Sequence, residues 1–353
     1  MKGLILSGGK GERMRPLTYT SAKQLLPVAN KPVLFYAIET LLEAGIKEIG
    51  IVVGETKGEI IKALGNGSRW GINLTYIEQE TPAGLAHAVK VAHHFLGDEP
   101  FVMFLGDNII KEGIKSFVEE YEREKPDALV LLSPSKHPEK FGVAVVEEGR
   151  IVKLMEKPKP PPSNLALVGC YIFNQHIFSA CREIKPSKRG ELEITDAIQW
   201  LIDKGYRVSY HIIKGWWKDT GMAEDLLEAN RLVLEEIEEE IKGDIDDLTK
   251  VSGRVKIGLG SMIRNSVLRG PLVIGDNCVI EDSYIGPFTS IGNDVKVKET
   301  EIEHSIILDG CFINLKGRLE DTILGKGVIL KRTEGRPLSY KLIAGDKSIL
   351  EVM

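Results

Sequence analysis

The chain has 353 residues, 43% of them hydrophobic and 27% charged, with a formal net charge of −5. That length holds a sizeable core and is expected to divide into two domains; the charge balance gives no basic footprint for nucleic acid, and no apolar run approaches the ~20 residues of a membrane span. The start of the chain runs straight into a strand pattern without the layout of a secretion signal, and Cys170, Cys181, Cys278 and Cys311 form no C-x-x-C pair, so a cytoplasmic protein with free buried thiols, no zinc site and no disulfide framework is expected.

Leu4, Ile5 and Leu6 make the short apolar run of a buried parallel strand. Gly8, Gly9 and Gly11 follow, where a chain leaving a sheet edge must turn sharply and can bring bare N–H groups up to an anion. Arg13, Arg15 and Lys23 come next, fixed cations of the kind a triphosphate requires. Neither standard nucleotide pattern fits: a P-loop needs Gly-Lys-Ser/Thr after its spacer, and a dinucleotide fold needs a third glycine where Met14 stands. The stretch is therefore a phosphate loop of a third kind, or a plain strand-to-helix turn.

Leu34, Ile38, Leu41 and Leu42 give residues 33–44 a helical spacing closed by Gly45. A strand over 49–53, a short helix over 59–64 and a strand over 73–77 then alternate as they do in a parallel sheet covered by helices, whose ligands collect at the carboxyl ends of the strands. The third strand runs into Gln79 and, through a turn, Gly84: an amide with both a donor and an acceptor, and a glycine that lets backbone come close to a base. His87 reads as an ordinary helix residue. The apolar run 101–105 ends in Gly106-Asp107-Asn108, a carboxylate at a strand tip that would serve as a Mg²⁺ ligand or a loop cap. After a helix over 113–125 and a strand over 128–133, residues 142–146 and 151–155 read as a hairpin, closed by Glu156-Lys157-Pro158. The prolines of 158–162 make a stiff loop, and strand pattern resumes over 165–173. A helix begins near Thr195 and Asp196, and a strand spans 207–213. Trp216-Trp217-Lys218-Asp219 then puts a second carboxylate before a helix read over 222–242. Two carboxylates so placed, Asp107 and Asp219, suit one metal site better than two unrelated caps.

Beyond Lys250 the period changes. Ile-Gly pairs begin at Ile257, Ile274, Ile285 and Ile291, at spacings near multiples of six, the pattern of a hexapeptide solenoid. About 18 residues per turn would give residues 251–332 roughly four to five turns, with residues 336–352 closing the open end. His304 is the one candidate base there for an acyl-transfer activity; a structural role is the simpler reading.

Gly8-Gly9-Lys10-Gly11-Glu12-Arg13 with Pro16-Leu17-Thr18, then Lys23-Gln24-Leu25-Leu26-Pro27-Val28 and Lys31-Pro32, resemble the signature of the sugar nucleotidyltransferases, GGxGTRLxPLT followed by K-x-L-x-P-V and a K-P pair. The likeness is nearest to the glucose-1-phosphate thymidylyltransferases, in the long form with a C-terminal extension. It implies an α/β fold, a Rossmann-like mixed sheet of the GT-A-like kind, followed by a left-handed β-helix. The expected division is a catalytic domain over 1–245, including the linking helix 222–242, and a β-helix domain over 246–353. The resemblance further implies a reaction of dTTP with glucose 1-phosphate to dTDP-glucose, with UTP, broader sugar use, or a silent nucleotide-sugar-binding regulator as alternatives. Gly8, Gly9, Gly11, Gln24, Gln79, Gly84 and Asp107 would bind the nucleotide; Gly142, Glu156, Lys157, Val168 and Gly169 the sugar phosphate. Arg13, Lys23 and Lys157 would act in catalysis, and Asp107 and Asp219 would hold Mg²⁺. Small-molecule substrates, no nucleic acid, no membrane and an assembly of identical chains are the expected partners. Glu12 departs from the family's usual Thr, and a carboxylate beside a triphosphate must point away or pair with Arg13 or Arg15.

Overall fold

A computed structural model describes residues 1–332 and 346–351. The chain forms two compact units, one of residues 1–11, 21–25 and 33–219, the other of residues 12–20, 26–32 and 220–353.

The first unit is built on a nine-stranded mixed sheet. Strand Lys2–Ser7 lies parallel between Glu48–Val53 and Phe101–Leu105, and Asn73–Glu78 pairs parallel with Glu48–Val53. Strand Leu165–Phe173 turns the direction, running antiparallel to Phe101–Leu105 and to Ala128–Pro134. The hairpin Gly142–Glu147 and Arg150–Glu156 forms one edge. Alternation along each strand sends successive side chains to opposite faces. Leu4, Leu6 and Met103 join a core with the helices Leu85–Val91, His176–Glu183 and Ile194–Asp203, whereas Ile5, Ile51 and Phe104 join a second core under Val33–Glu43 and Lys115–Glu124. Apolar residues on both faces are why these strands read as unbroken hydrophobic runs. All four cysteines are free and buried. Among the described residues no helix is long and apolar enough to cross a membrane.

In the second unit, short parallel strands stack into three sheets of six, six and five strands, the architecture of the expected left-handed β-helix. In one sheet the stacked partners are Ile257, Ile274, Ile291, Ile307 and Leu324, 16 or 17 residues apart. Each coil thus falls slightly short of the 18 expected. Left-handed backbone recurs at the corners: Asn265, Asp282, Glu299 and Lys316 have φ of 45, 49, 48 and 51°. Just inside that corner, buried hydroxyls form a ladder, Ser283 N–H donating to Ser266 Oγ (3.1 Å) and Thr300 N–H to Ser283 Oγ (3.2 Å). His304, itself a corner residue with φ 43°, bonds Asp321 on the next coil and meets Phe288 edge-on, the contacts of a strut between coils.

The helix read over 222–242 is shorter, Ala223–Leu234, and the solenoid starts earlier, with Glu240–Ile241 and Asp244–Ile245 already paired to the next coil. Glu235, Glu236, Glu238, Glu239 and Glu240 would crowd negative charge onto the helix's carboxyl end, where the macrodipole disfavours it. Glu240 instead pairs with Lys242 and Lys256 at 2.5 and 2.8 Å. Asn230, fully buried, ties this helix to its neighbours: its Oδ1 accepts from Ala29 N–H (2.8 Å) and Ser290 Oγ (2.6 Å), and its Nδ2 donates to the Phe288 carbonyl (3.0 Å). Of the closure expected from residues 336–352, residues 336–345 and 352 lie outside the described residues.

Candidate active site

The glycine loop leaves the carboxyl end of strand Lys2–Ser7. A Cβ on Gly8 would lie 3.1 Å from Gln79 Oε1, and one on Gly54 would lie 2.9 Å from the Gly8 carbonyl, so the two turns pass each other backbone to backbone. Gly11 takes φ +65°, which glycine reaches without strain. Ser7 Oγ and Gln24 Oε1 are buried without a hydrogen-bond partner among the described residues. Groups of that kind cost free energy unless something else satisfies them, and both lie on segments expected to meet the nucleotide. Ser7 was invisible as a site residue because it reads as the last residue of a strand.

Lys23 sits in a short turn anchored by the Ala22 N–H, which donates to Glu59 Oε2 at 2.6 Å. Its ammonium pairs with Asp107. Burial opposes ionisation of Asp107, yet the Lys23 charge, its hydrogen bond and that of Asn108 hold the carboxyl below the usual carboxylate range. The bridge to Asp219 is a two-stranded ribbon, Asn108–Ile110 with Trp217–Asp219, in whose register Asp219 faces Asn108, the neighbour of Asp107. Asn108 is 1% exposed; it donates to Asp107 Oδ1 (3.0 Å) and accepts from Trp217 Nε1 (2.5 Å). A Cβ on Gly169 would stand 2.7 Å from Asn108 Oδ1, so that glycine makes room for the Asn108–Trp217 link.

Among the described residues no cluster of three or more His, Cys, Asp or Glu could hold a metal. Two carboxylates at adjacent register positions fit a Mg²⁺ that completes its shell with phosphate oxygens and water, and not an all-protein cage.

Gln79 is 7% exposed, its Nε2 lying 3.3 Å from the Gly84 carbonyl and 2.9 Å from His87 Nδ1. Gly84 itself, at φ +106°, would put a Cβ 2.4 Å from the Leu192 carbonyl oxygen, so no other residue fits there.

Gly142 is similarly enclosed, a Cβ meeting Leu167 and Thr195 at 2.6 and 2.7 Å. Beside it, Glu156 Oε2 accepts from Thr195 Oγ1 (3.2 Å), and its Oε1 lies 3.7 Å from Arg189 and 3.8 Å from Lys157. Burial, with Glu193 nearby, raises the Glu156 carboxyl above its ordinary range. Arg189 is mainly engaged by Glu193, with contacts of 2.9 and 3.1 Å. Lys157 holds a left-handed backbone, φ 43°, and its N–H donates to the Phe141 carbonyl at 3.0 Å. The Val168 side chain is fully buried in a core cluster; what Val168 and Gly169 leave for a ligand is backbone, in the stretch where pairing slips between Leu167 and Tyr171.

In the second unit, the turn Glu12–Met14 carries Arg13. Glu12 pairs with Arg15 at 3.8 Å, and Arg15 stacks over Tyr19, which answers where the unusual carboxylate goes.

Residues 2–236 match the sequence family described as Nucleotidyl transferase. The chain is 48% identical over 354 residues to a glucose-1-phosphate thymidylyltransferase of Streptomyces antibioticus, covering 100% of this chain and 99% of the relative. It is 46% identical over 357 residues to a low-salt glycan biosynthesis nucleotidyltransferase of Haloferax volcanii, covering 100% of both. Among solved structures, one ascribed to a glucose-1-phosphate thymidylyltransferase of Bacillus anthracis, bound to sucrose, superposes with a TM-score of 0.64 at 39% identity, covering 68% of this chain and 98% of that one.

Proposed function

The chain belongs to the nucleotidyl transferase family, and from that premise we infer that it condenses dTTP with glucose 1-phosphate into dTDP-glucose and pyrophosphate. A phosphate oxygen of the sugar phosphate attacks the α-phosphorus of dTTP and pyrophosphate leaves in line, with no covalent enzyme intermediate. Such a reaction needs positioning and charge neutralisation more than side-chain chemistry. The observation that carries the reading is the partly buried Lys23–Asp107 pair joined through the 108–110/217–219 ribbon to Asp219.

Within this reading Asp107 and Asp219 would hold Mg²⁺, which when bound neutralises charge on the phosphates. Lys23 and Arg13 draw negative charge from the triphosphate, and the glycine loop offers N–H groups to it. Ser7 Oγ and Gln24 Oε1 gain partners from the nucleotide or its waters. Gln79 and Gly84 meet the base edge. Glu156 accepts from sugar hydroxyls, Gly142 and Gly169 give backbone close to the ring, and Lys157 aligns the incoming phosphate. Catalysis is assigned to residues 1–245 and support to 246–353. An outward row on one solenoid sheet, Met262, Val279, Lys296, Phe312 and Ile329 in register, with Phe312 and Ile329 exposed, supports contact between copies of the chain.

UTP lacks the 5-methyl group, worth about 1–3 kcal/mol in a pocket, and adds a 2′-hydroxyl on the ribose, so slower turnover of UTP is expected. Pyrophosphate release measured with dTTP, UTP and purine triphosphates against a panel of sugar 1-phosphates tests the assignment. The highest kcat/KM is expected for dTTP with glucose 1-phosphate; a purine nucleotide in first place would refute it.

A further inference from the structure

Gln79 bears on more than the identity of a base-edge residue, because its amide is held in one sense. A carbonyl oxygen can only accept, so the atom 3.3 Å from the Gly84 carbonyl is the NH₂ group. The same Nε2 lies 2.9 Å from His87 Nδ1, which must then be the unprotonated nitrogen of its ring. Both amide hydrogens are taken up by the protein. Oε1 accepts nothing from the described residues and stands against Gly8, 3.1 Å from where a Cβ would be.

We propose that His87 is a positioning residue that locks the Gln79 amide with its oxygen toward the ligand, so that the pocket selects a pyrimidine whose N3 carries a hydrogen. The proposal rests on the reading of Gln79 as a base-edge residue and deepens it. Thymine and uracil present N3–H, which donates to Oε1. Cytosine presents an N3 lone pair, and two acceptors would face each other. Rotating the amide by half a turn would cure that clash, but it would set Oε1 against the Gly84 carbonyl and would require the His87 ring proton to move onto Nδ1. The cost of that rotation is the selectivity. His87 lies eight residues beyond Gln79, inside the helix Leu85–Val91, where sequence alone gives it no task.

The test compares kcat/KM for dTTP and dCTP, at saturating glucose 1-phosphate, in the full-length enzyme and its variants. His87→Ala should lower the dTTP-to-dCTP ratio by about tenfold, the equivalent of one hydrogen bond, with the change in nucleotide KM and not in kcat. His87→Lys, a donor only, should lower it further and improve dCTP use in absolute terms, whereas His87→Glu, an acceptor only, should hold the ratio within about threefold of wild type. If His87→Ala does not fold, the Glu and Lys variants decide by themselves. A ratio unmoved by Lys, or moved equally by Lys and Glu, overturns the proposal. Gln79→Ala separates the two levels: loss of selectivity there with none in the His87 variants defeats only the locking role, and no effect of Gln79→Ala on nucleotide KM or on the ratio defeats the base-edge reading beneath it.

Discussion

The two units reach order by opposite routes. In the solenoid each strand pairs with one 16 or 17 residues away, coil after coil, and the repeated apolar positions dictate both the core and its period. In the sheet unit the contacts that matter join residues far apart: Lys23 to Asp107 and Trp217 to Asn108. A local pattern builds a scaffold, whereas a charge-neutralising site is assembled from distant turns because each strand end supplies only one or two groups. Substitutions in the sheet unit should therefore move kinetics first, and those in the solenoid stability first.

Lys23→Ala should break that rule most visibly, lowering kcat by about 10²–10³-fold, the range for loss of one preorganised charge-stabilising donor. It should also lower the melting temperature of the free protein, since a partly buried carboxylate loses its counter-charge. Steady-state kinetics with a thermal melt checks both. Lys157→Ala should act on one substrate alone, raising KM for glucose 1-phosphate by about 10–100-fold, the equivalent of about 1.5–3 kcal/mol for a charge-assisted hydrogen bond, while KM for dTTP changes little. Equal losses for both substrates would move Lys157 to the triphosphate.

Glu156 sharpens the comparison through pH. Its folded-state carboxyl is raised by burial and by Glu193, so its ionisation opposes folding: the contribution is present at pH below the ordinary Glu value of about 4.3 and is lost as pH rises through the elevated value. Glu156→Gln should therefore melt no lower than wild type at neutral pH while binding sugar phosphate more weakly. A variant destabilised at pH 7, with normal sugar-phosphate KM, would make Glu156 a structural residue.

The smallest effect is expected in the solenoid. Glu299 is held at φ 48°, and left-handed backbone costs a non-glycine residue about 1–2 kcal/mol. Glycine relieves that strain but loosens the unfolded chain by roughly 0.4–1 kcal/mol, so Glu299→Gly should shift the melting temperature slightly upward or not at all, with kcat/KM unchanged.

Much of the sheet was legible because a buried strand such as Phe101–Leu105 is a continuous apolar run bounded by glycine. The glycine turn from Gly8 to Gly11 was legible for the same local reason. The ribbon 108–110 with 217–219 was not, since three-residue strands pairing across more than a hundred positions leave no periodic trace. Nor was His87, whose contact with Gln79 depends on how the loop folds back over Gly84. The helix after Asp219 was overread because Leu226, Leu234, Ile237 and Ile241 keep helical spacing, while the glutamates from 235 to 240 end it and Ile241 joins a solenoid strand.

The shared role of Asp107 and Asp219 is tested most directly by a double-mutant cycle. Turnover and its Mg²⁺ dependence are measured for Asp107→Asn, Asp219→Asn and the pair. If both carboxylates serve one ion, each single change costs orders of magnitude and the double is little worse than the poorer single. Multiplicative losses, or an Asp219→Asn enzyme with normal turnover and normal Mg²⁺ dependence, would contradict it.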